Sequence, residues 1–126
     1  MRKPTRAKGR QGEDIAVTFL ESRGYRILER NFTCRIGEID IIAHQNGDLV
    51  FVEVRSKSSQ RTVNPAYSVN RTKQQKIIRV AEYYLATRCP RVPPTRFDVV
   101  LVNMHPTPQV ELIPDAFQVD PGPFTF

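Results

Sequence analysis

The chain has 126 residues, of which 40% are hydrophobic and 25% are charged, as is usual for one soluble globular domain. Its 19 Lys and Arg against 13 Asp and Glu give a net charge of +6, which favours polyanionic partners but does not by itself identify one. No apolar run is long enough to span a membrane and no hydrophobic segment follows the basic start, so we expect neither a membrane anchor nor a signal peptide.

The first predicted elements are a basic arm and a helix. Residues 1–10 carry five Lys and Arg without an apolar pattern, and we expect a flexible arm there. A helix is predicted over residues 11–23, because apolar residues recur at helical spacing and a glycine, a usual terminator, follows. On this helix Glu13 falls at the edge of the apolar stripe, whereas Asp14 points away. We therefore expect Glu13 to face whatever the helix packs against.

Three strands are predicted next, at residues 25–32, 38–43 and 49–55, from their alternating or apolar runs. Between the second and third lies Asn46-Gly47, the pair favoured in two-residue hairpin turns. The second and third strands should therefore pair antiparallel.

The remaining elements complete the predicted domain, which we place at residues 11–113. A second helix is predicted over residues 71–87, a buried strand at residues 96–103 and a short edge strand at residues 109–113. Residues 114–126 are rich in proline and acidic, and we expect a tail with little order there. The order predicts an α/β fold in which one layer of mixed sheet is flanked by helices.

Two carboxylates interrupt apolar strands: Asp40 in EIDIIA and Glu53 in LVFVEVR. Both strands read as central, where a lone ionised carboxylate is costly unless it is paired, hydrogen-bonded or bound to a metal. With the Asn-Gly turn between them, the two acids come roughly opposite each other and repel unless a cation lies between them. We therefore expect a hard divalent cation, Mg²⁺ or Mn²⁺, at Asp40 and Glu53.

Local salt bridges are the alternative to a metal. Arg55, Lys57 and Arg96 are candidate partners for the two acids, although we favour the metal. Glu38 has the side-chain parity of Asp40, and we take a structural role as its default.

A basic segment without acids follows the second carboxylate. From Val54 to Ala81 there are seven Lys and Arg and no Asp or Glu. Arg55 and Lys57 share the face of Glu53 by the two-residue period of a strand, and we expect them to contact a phosphate at the site. Cations that attract a phosphodiester, next to acids that hold a metal, indicate nuclease-like chemistry. We expect the nucleic-acid backbone to lie on Arg61, Arg71, Lys73 and Lys76.

Four motifs in order resemble a known family: residues 37–40 (GEID), residues 51–55 (FVEVR), Lys73 and residues 96–98 (RFD). They resemble the YraN-like family of uncharacterised bacterial proteins, which is grouped with the PD-(D/E)XK nucleases and is similar to Holliday-junction resolvases. The resemblance covers about residues 12–102. It implies a restriction-endonuclease-like αβββαβ core.

The resemblance also implies roles for single residues. Asp40 and Glu53 would ligate the metal, the backbone carbonyl of Val54 would be a further ligand, and Glu13 would complete the site as the acid of the first helix.

One departure from the superfamily pattern concerns chemistry. The lysine of the ExK motif is Arg55 here, and the proline of PD is Ile39. Arginine stays protonated and cannot act as a base, although it can orient water or offset the charge of a phosphate. Lys57, two positions further on, is a candidate substitute.

These features favour a metal-dependent endonuclease that acts on DNA, with branched DNA as one candidate substrate and a homodimer suited to cutting two strands. A DNA-binding module that keeps the nuclease fold without turnover is the alternative. A structural adaptor would leave the acid-free basic segment unexplained. No base-reading helix is present, so we expect recognition of backbone or shape. Two separated cysteines indicate free thiols and a cytoplasmic location.

Overall fold

The computed structural model describes the backbone of residues 4–57 and 69–119 and the side chains of residues 10–56 and 69–119. In chain order the elements are α1 (Pro4–Ser22), β1 (Arg26–Thr33), β2 (Glu38–Gln45), β3 (Asp48–Lys57), α2 (Arg71–Arg88), β4 (Thr95–Asn103) and β5 (Gln109–Phe117). The strands form a five-stranded sheet in the order of the chain. Neighbours are antiparallel except β3 and β4, which are parallel. The predicted α/β fold with a mixed sheet is confirmed, and it is consistent with a restriction-endonuclease-like αβββαβ core.

The first helix begins at Pro4, earlier than the predicted start at residue 11, so residues 4–10 are helical where an irregular arm was expected. Proline lacks an N–H and has a φ suited to the first helical position, and the Arg, Ala and Lys that follow are good helix formers. After the helix, Gly24 has a φ of 87°, the left-handed conformation that the predicted terminator supplies.

The hairpin between β2 and β3 forms as predicted. Both residues of its Asn-Gly turn have positive φ, 53° and 83°, as a type I′ turn requires. The register pairs Ile41 with Val52. The next residues along the two strands, Asp40 and Glu53, therefore lie level with each other at the far end of the hairpin.

Both faces of the sheet are buried. On one face, α2 packs Tyr84 against Phe51, with ring centroids 5.9 Å apart. On the other face, α1 contributes Ala16 and Leu20, which are fully buried. Burial on both sides explains why β3 and β4 are almost continuously apolar. No helix in the described ranges is long and apolar enough to cross a membrane.

The last strand continues beyond its predicted end at residue 113. It runs to Phe117 through Pro114, where the pairing with β4 shifts register and Asp115 has a φ of 52°. Proline is compatible with such an irregularity on an edge strand. Phe117 is buried and stacks on Phe97 at 5.0 Å, so the predicted start of the tail is too early. Residues 120–126 lie outside the described part of the chain.

Candidate metal centre

Asp40 and Glu53 lie side by side on the central hairpin. Glu53 is only 5% exposed, and Asp40 is partly buried. The Oδ2 atom of Asp40 accepts a hydrogen bond from the backbone N–H of Val54 at 2.8 Å. Burial first, and then the charge of Asp40 and its hydrogen bond to Glu53, raise the pKa of Glu53 to about 7. A cation between the two carboxylates would relieve this repulsion.

Two positively charged side chains lie beside Glu53. The Nζ atom of Lys73 is 3.3 Å from Glu53 Oε2, and the Nη1 atom of Arg55 is 3.7 Å from the same oxygen. Both cations are nearly half exposed, so solvent screens their ion pairs and the pKa of Glu53 stays raised. The salt-bridge alternative is therefore partly realised, by Arg55 and by Lys73.

Lys73, which is predicted to hold the nucleic-acid backbone, lies beside the carboxylates, and its contact with nucleic acid stays a prediction. The side chain of Asn70 caps α2, since its Oδ1 accepts a hydrogen bond from the backbone N–H of Lys73 at 2.8 Å. This cap fixes Lys73 in the first turn of the helix, directly above the end of β3 that carries Glu53.

Glu13 approaches the pair from α1. Its side chain is 15% exposed against 60% for Asp14, which confirms the predicted orientation of the helix. Burial first, and then the charge of Asp40, raise the pKa of Glu13. The Oε1 atom of Glu13 is buried without a hydrogen-bond partner among the described residues, and its nearest cation, Arg30, lies 3.8 Å away. A buried acceptor in this state would be stabilised by a water molecule or a cation.

Tight packing of α1 against β3 sets the position of Glu13. Gly12 is buried, and a Cβ atom added there would overlap the Oγ atom of Ser56, near the end of β3. Glycine therefore lets the helix lie directly on the strand, with the following carboxylate turned toward Asp40.

The pair Asp40 and Glu53 would suit a divalent metal. Within the described ranges no group of three or more His, Cys, Asp or Glu is arranged to hold a metal ion, and metal ligation by Glu13 stays a prediction. Mg²⁺ is often bound through one or two carboxylates and keeps several waters. Asp40 and Glu53 meet that need, because they are adjacent oxygen donors that repel each other without a cation.

Two further residues were expected near the pair. Val54 contributes the N–H that binds Asp40, while metal ligation by its carbonyl stays a prediction. Glu38 is exposed and raises the pKa of Glu13 only weakly through its charge, in keeping with its default role.

The predicted phosphate-binding residues lie partly within and partly outside the described ranges of the chain. Arg71 is the first residue of α2 and is exposed. Lys76 lies on the same helix, and its Cε atom is 3.1 Å from the position of a Cβ atom built on Gly37. The side chains of Lys57 and Arg61 lie outside the described residues.

Arg96 pairs with Asp98 of its own RFD motif, an acid for which no role was predicted. Its guanidinium donates to Asp98 at 2.9 and 3.1 Å and to Asp48 at 3.0 Å. Asp98 is fully buried and also accepts hydrogen bonds from the Tyr25 hydroxyl at 2.7 Å and from the Asp115 N–H at 2.9 Å. The alternative in which Arg96 neutralises the central acids is therefore wrong. This network instead ties β4 to the hairpin turn and to β5.

In the absence of metal, Glu53→Gln should stabilise the protein at high pH. The folded state raises the pKa of Glu53 from 4.5 to about 7, so its stabilising contribution is present below pH 4.5 and is lost as the pH rises through 7. Glutamine cannot ionise, and we expect the variant to exceed wild type by on the order of 1–3 kcal/mol at pH 8 and to match it near pH 5. Urea unfolding with a chelator measures both values. An equal difference in unfolding free energy between Glu53→Gln and wild type at both pH values would contradict the repulsion between Asp40 and Glu53.

Comparison with known proteins identifies the family. The model of the uncharacterised protein family UPF0102 matches residues 12–102. A UPF0102 protein of Persephonella marina is 47% identical over 90% of this chain and 95% of its own length. A UPF0102 protein of Clostridium perfringens is 43% identical over 94% of this chain and all of its own. These matches confirm the YraN-like resemblance, and the chain belongs to the UPF0102 family.

Proposed function

We propose that this protein is a divalent-metal-dependent endonuclease that hydrolyses phosphodiester bonds in DNA. The observation that carries the proposal is the pair Asp40 and Glu53 on adjacent strands, with Lys73 and Arg55 within 4 Å of Glu53. Phosphodiester hydrolysis needs oxygen ligands for a metal and positive groups for the phosphate in one place. The hairpin and the first turn of α2 bring both sets together.

The charge around the site favours a polyanionic substrate. No Asp or Glu lies between Val54 and Ala81. Within that segment α2 carries exposed cations close to the carboxylates, so phosphate oxygens would be attracted toward Glu53 along the helix. Binding through phosphates implies affinity that falls steeply with salt and depends little on base sequence.

The chain's own residues have distinct roles in this proposal. Asp40 and Glu53 would hold Mg²⁺ or Mn²⁺, which when bound supplies positive charge and lowers the pKa of a water. Arg55 stays protonated, so it donates hydrogen bonds to the phosphate and offsets its charge. Among the described side chains, Lys73 brings an amine to within 3.3 Å of Glu53, and it would supply the amine that Arg55 cannot.

Membership of the UPF0102 family is consistent with the proposal, because the YraN-like pattern of acids resembles that of the PD-(D/E)XK nucleases. Two free cysteines, Cys34 and Cys89, accord with the cytoplasmic location expected from the sequence.

A DNA-binding module without turnover is the second candidate. Two observations favour it: Glu53 already has Lys73 and Arg55 as partners, and Glu13 does not join a three-carboxylate group among the described residues. In this case the cations bind phosphate and the acids are neutralised within the protein.

A cleavage panel separates the two candidates. The purified protein is incubated with Mg²⁺ or Mn²⁺ and with duplex, single-stranded and branched DNA and matched RNA. We expect nicks on at least one DNA substrate, and none when a chelator is added. A protein that binds these DNAs but cuts none of them would replace the endonuclease by the non-catalytic module.

The charge at position 55, and not proton transfer there, should matter for cleavage. Arg55→Lys keeps a cation near Glu53 and should retain most of the nicking rate. Arg55→Ala removes a donor to the phosphate and should lower the rate by about 10- to 100-fold. Nicking rates of both variants at saturating Mn²⁺ test this. Equal nicking rates for Arg55→Ala and wild type would show that Arg55 does not contact the phosphate during cleavage.

A further inference from the structure

A second feature of α2, a cleft of about 640 Å³, has no role in the proposed chemistry. One wall is the outer face of the helix and the other is the link between β1 and β2. The link packs closely on the helix, because the absence of a side chain on Gly37 leaves room for Lys76 and Val80. The residues that line the cleft are Arg35, Ile36, Thr72, Gln75, Lys76, Arg79 and Tyr83.

The charge of this cleft is uniformly positive. Arg35, Lys76 and Arg79 line it, and no acid does. Within the described part of the chain, none of the three forms an ion pair with a carboxylate. Three exposed cations around one cleft favour an anionic ligand with several charges.

The cleft also presents an aromatic ring. Tyr83 is 45% exposed, although its ring is supported by Phe32 with centroids 6.4 Å apart. A supported and exposed ring among cations is the arrangement on which nucleic-acid bases stack while their phosphates meet positive charge. Bases in a duplex are covered by their neighbours, so only an unpaired base offers its face to such a ring.

The cleft lies next to the carboxylates. Lys73, which contacts Glu53, is three residues before Lys76 on α2 and six before Arg79. Thr72 also lines the cleft and directly precedes Lys73, so the cleft begins in the first turn of α2, beside the residue that contacts Glu53. We propose that the cleft binds an unpaired segment of nucleic acid, with Tyr83 stacked on a base, and leads the strand to Asp40 and Glu53. The last clause rests on the proposed function, whereas binding in the cleft does not.

Fluorescence anisotropy with a short labelled oligothymidylate tests the proposal. All titrations contain a chelator, so their result is independent of cleavage. We expect Tyr83→Ala to weaken binding at least about fivefold, as the loss of one stacked base does, and Tyr83→Phe to bind within about twofold of wild type. Binding of a duplex should change by less than about twofold in both variants. Arg79→Ala should weaken oligothymidylate binding more than Arg91→Ala, which removes the same charge from an exposed position outside the cleft.

Three outcomes would overturn the proposal. The first is equal affinity of Tyr83→Ala and wild type for oligothymidylate. The second is a loss of duplex affinity in Tyr83→Ala equal to its loss for oligothymidylate. The third is displacement of oligothymidylate by polyglutamate at a matched charge concentration, which would identify a surface for acidic protein rather than for bases. If the cleavage panel is negative but Tyr83→Ala shows the expected loss, the cleft stands and the endonuclease fails. If wild type cuts DNA but Tyr83→Ala binds oligothymidylate as well as wild type does, the endonuclease stands and the cleft proposal fails.

Discussion

Asp40→Ala is expected to reduce metal-dependent cleavage of DNA by at least about a hundredfold, because charge stabilisation by a bound divalent cation is worth several kcal/mol. Asp40 lies at the centre of the acids, and its charge raises the pKa of both Glu53 and Glu13. Without it, Glu53 keeps Lys73 as its partner, and a single carboxylate remains for the metal. Nicking rates with Mn²⁺ on the substrate that wild type prefers measure the effect.

With a chelator present, the same variant should bind DNA as well as wild type or slightly better, since loss of a negative charge then cannot weaken attraction to phosphate. Asp14→Ala is a matched control, because Asp14 is an exposed acid of α1 that pairs with Arg30 at 2.6 Å. It should cut at the wild-type rate. Cleavage by Asp40→Ala at that rate would mean that the activity belongs to a contaminant, and the endonuclease proposal would fail.

Arg96→Ala should lower the free energy of unfolding by about 3–5 kcal/mol, because it leaves a buried charge without its ionic partner. Asp98 is fully buried, and Arg96 donates to it through two nitrogen atoms. The Tyr25 hydroxyl and the Asp115 N–H still bind the carboxylate, but neither carries a compensating charge. Urea unfolding at pH 7 gives the value.

A second substitution distinguishes the buried charge from lost packing. Adding Asp98→Asn to Arg96→Ala removes the unpaired charge, so the double variant should unfold less easily than Arg96→Ala alone. Arg91→Ala, at an exposed position in the connection that precedes β4, should stay within about 0.5 kcal/mol of wild type. Equal stability of Arg96→Ala and Arg91→Ala would show that the network contributes nothing.

The carboxylate pair could be predicted because the determining signals are local. An Asn-Gly turn sets the register of its hairpin, and that register alone places Asp40 level with Glu53. The helical period likewise separates Glu13 from Asp14. In both cases the side-chain direction follows from backbone geometry within one element or one turn.

The partners of the acids depend on tertiary packing and could not be predicted in the same way. Lys73 reaches Glu53 only because α2 lies over the end of β3, and no pattern within α2 encodes that contact. Arg96 and Asp98 share one strand face, yet their burial depends on Tyr25 and on the continuation of β5. The end of β5 could not be predicted for the same reason. Pro114, three residues before Phe117, predicts that the strand ends there, but packing of Phe117 against Phe97 extends the strand.

Titration of Mn²⁺ into the protein by calorimetry tests most directly whether Asp40 and Glu53 form a divalent cation site. We expect a binding heat for wild type and for the control Asp14→Ala, and its loss in Asp40→Ala, because the remaining carboxylate of Glu53 is held by Lys73 and Arg55. Mg²⁺ should give the same order with weaker heats. Equal heats for wild type and Asp40→Ala would contradict the site, because the metal would then bind elsewhere.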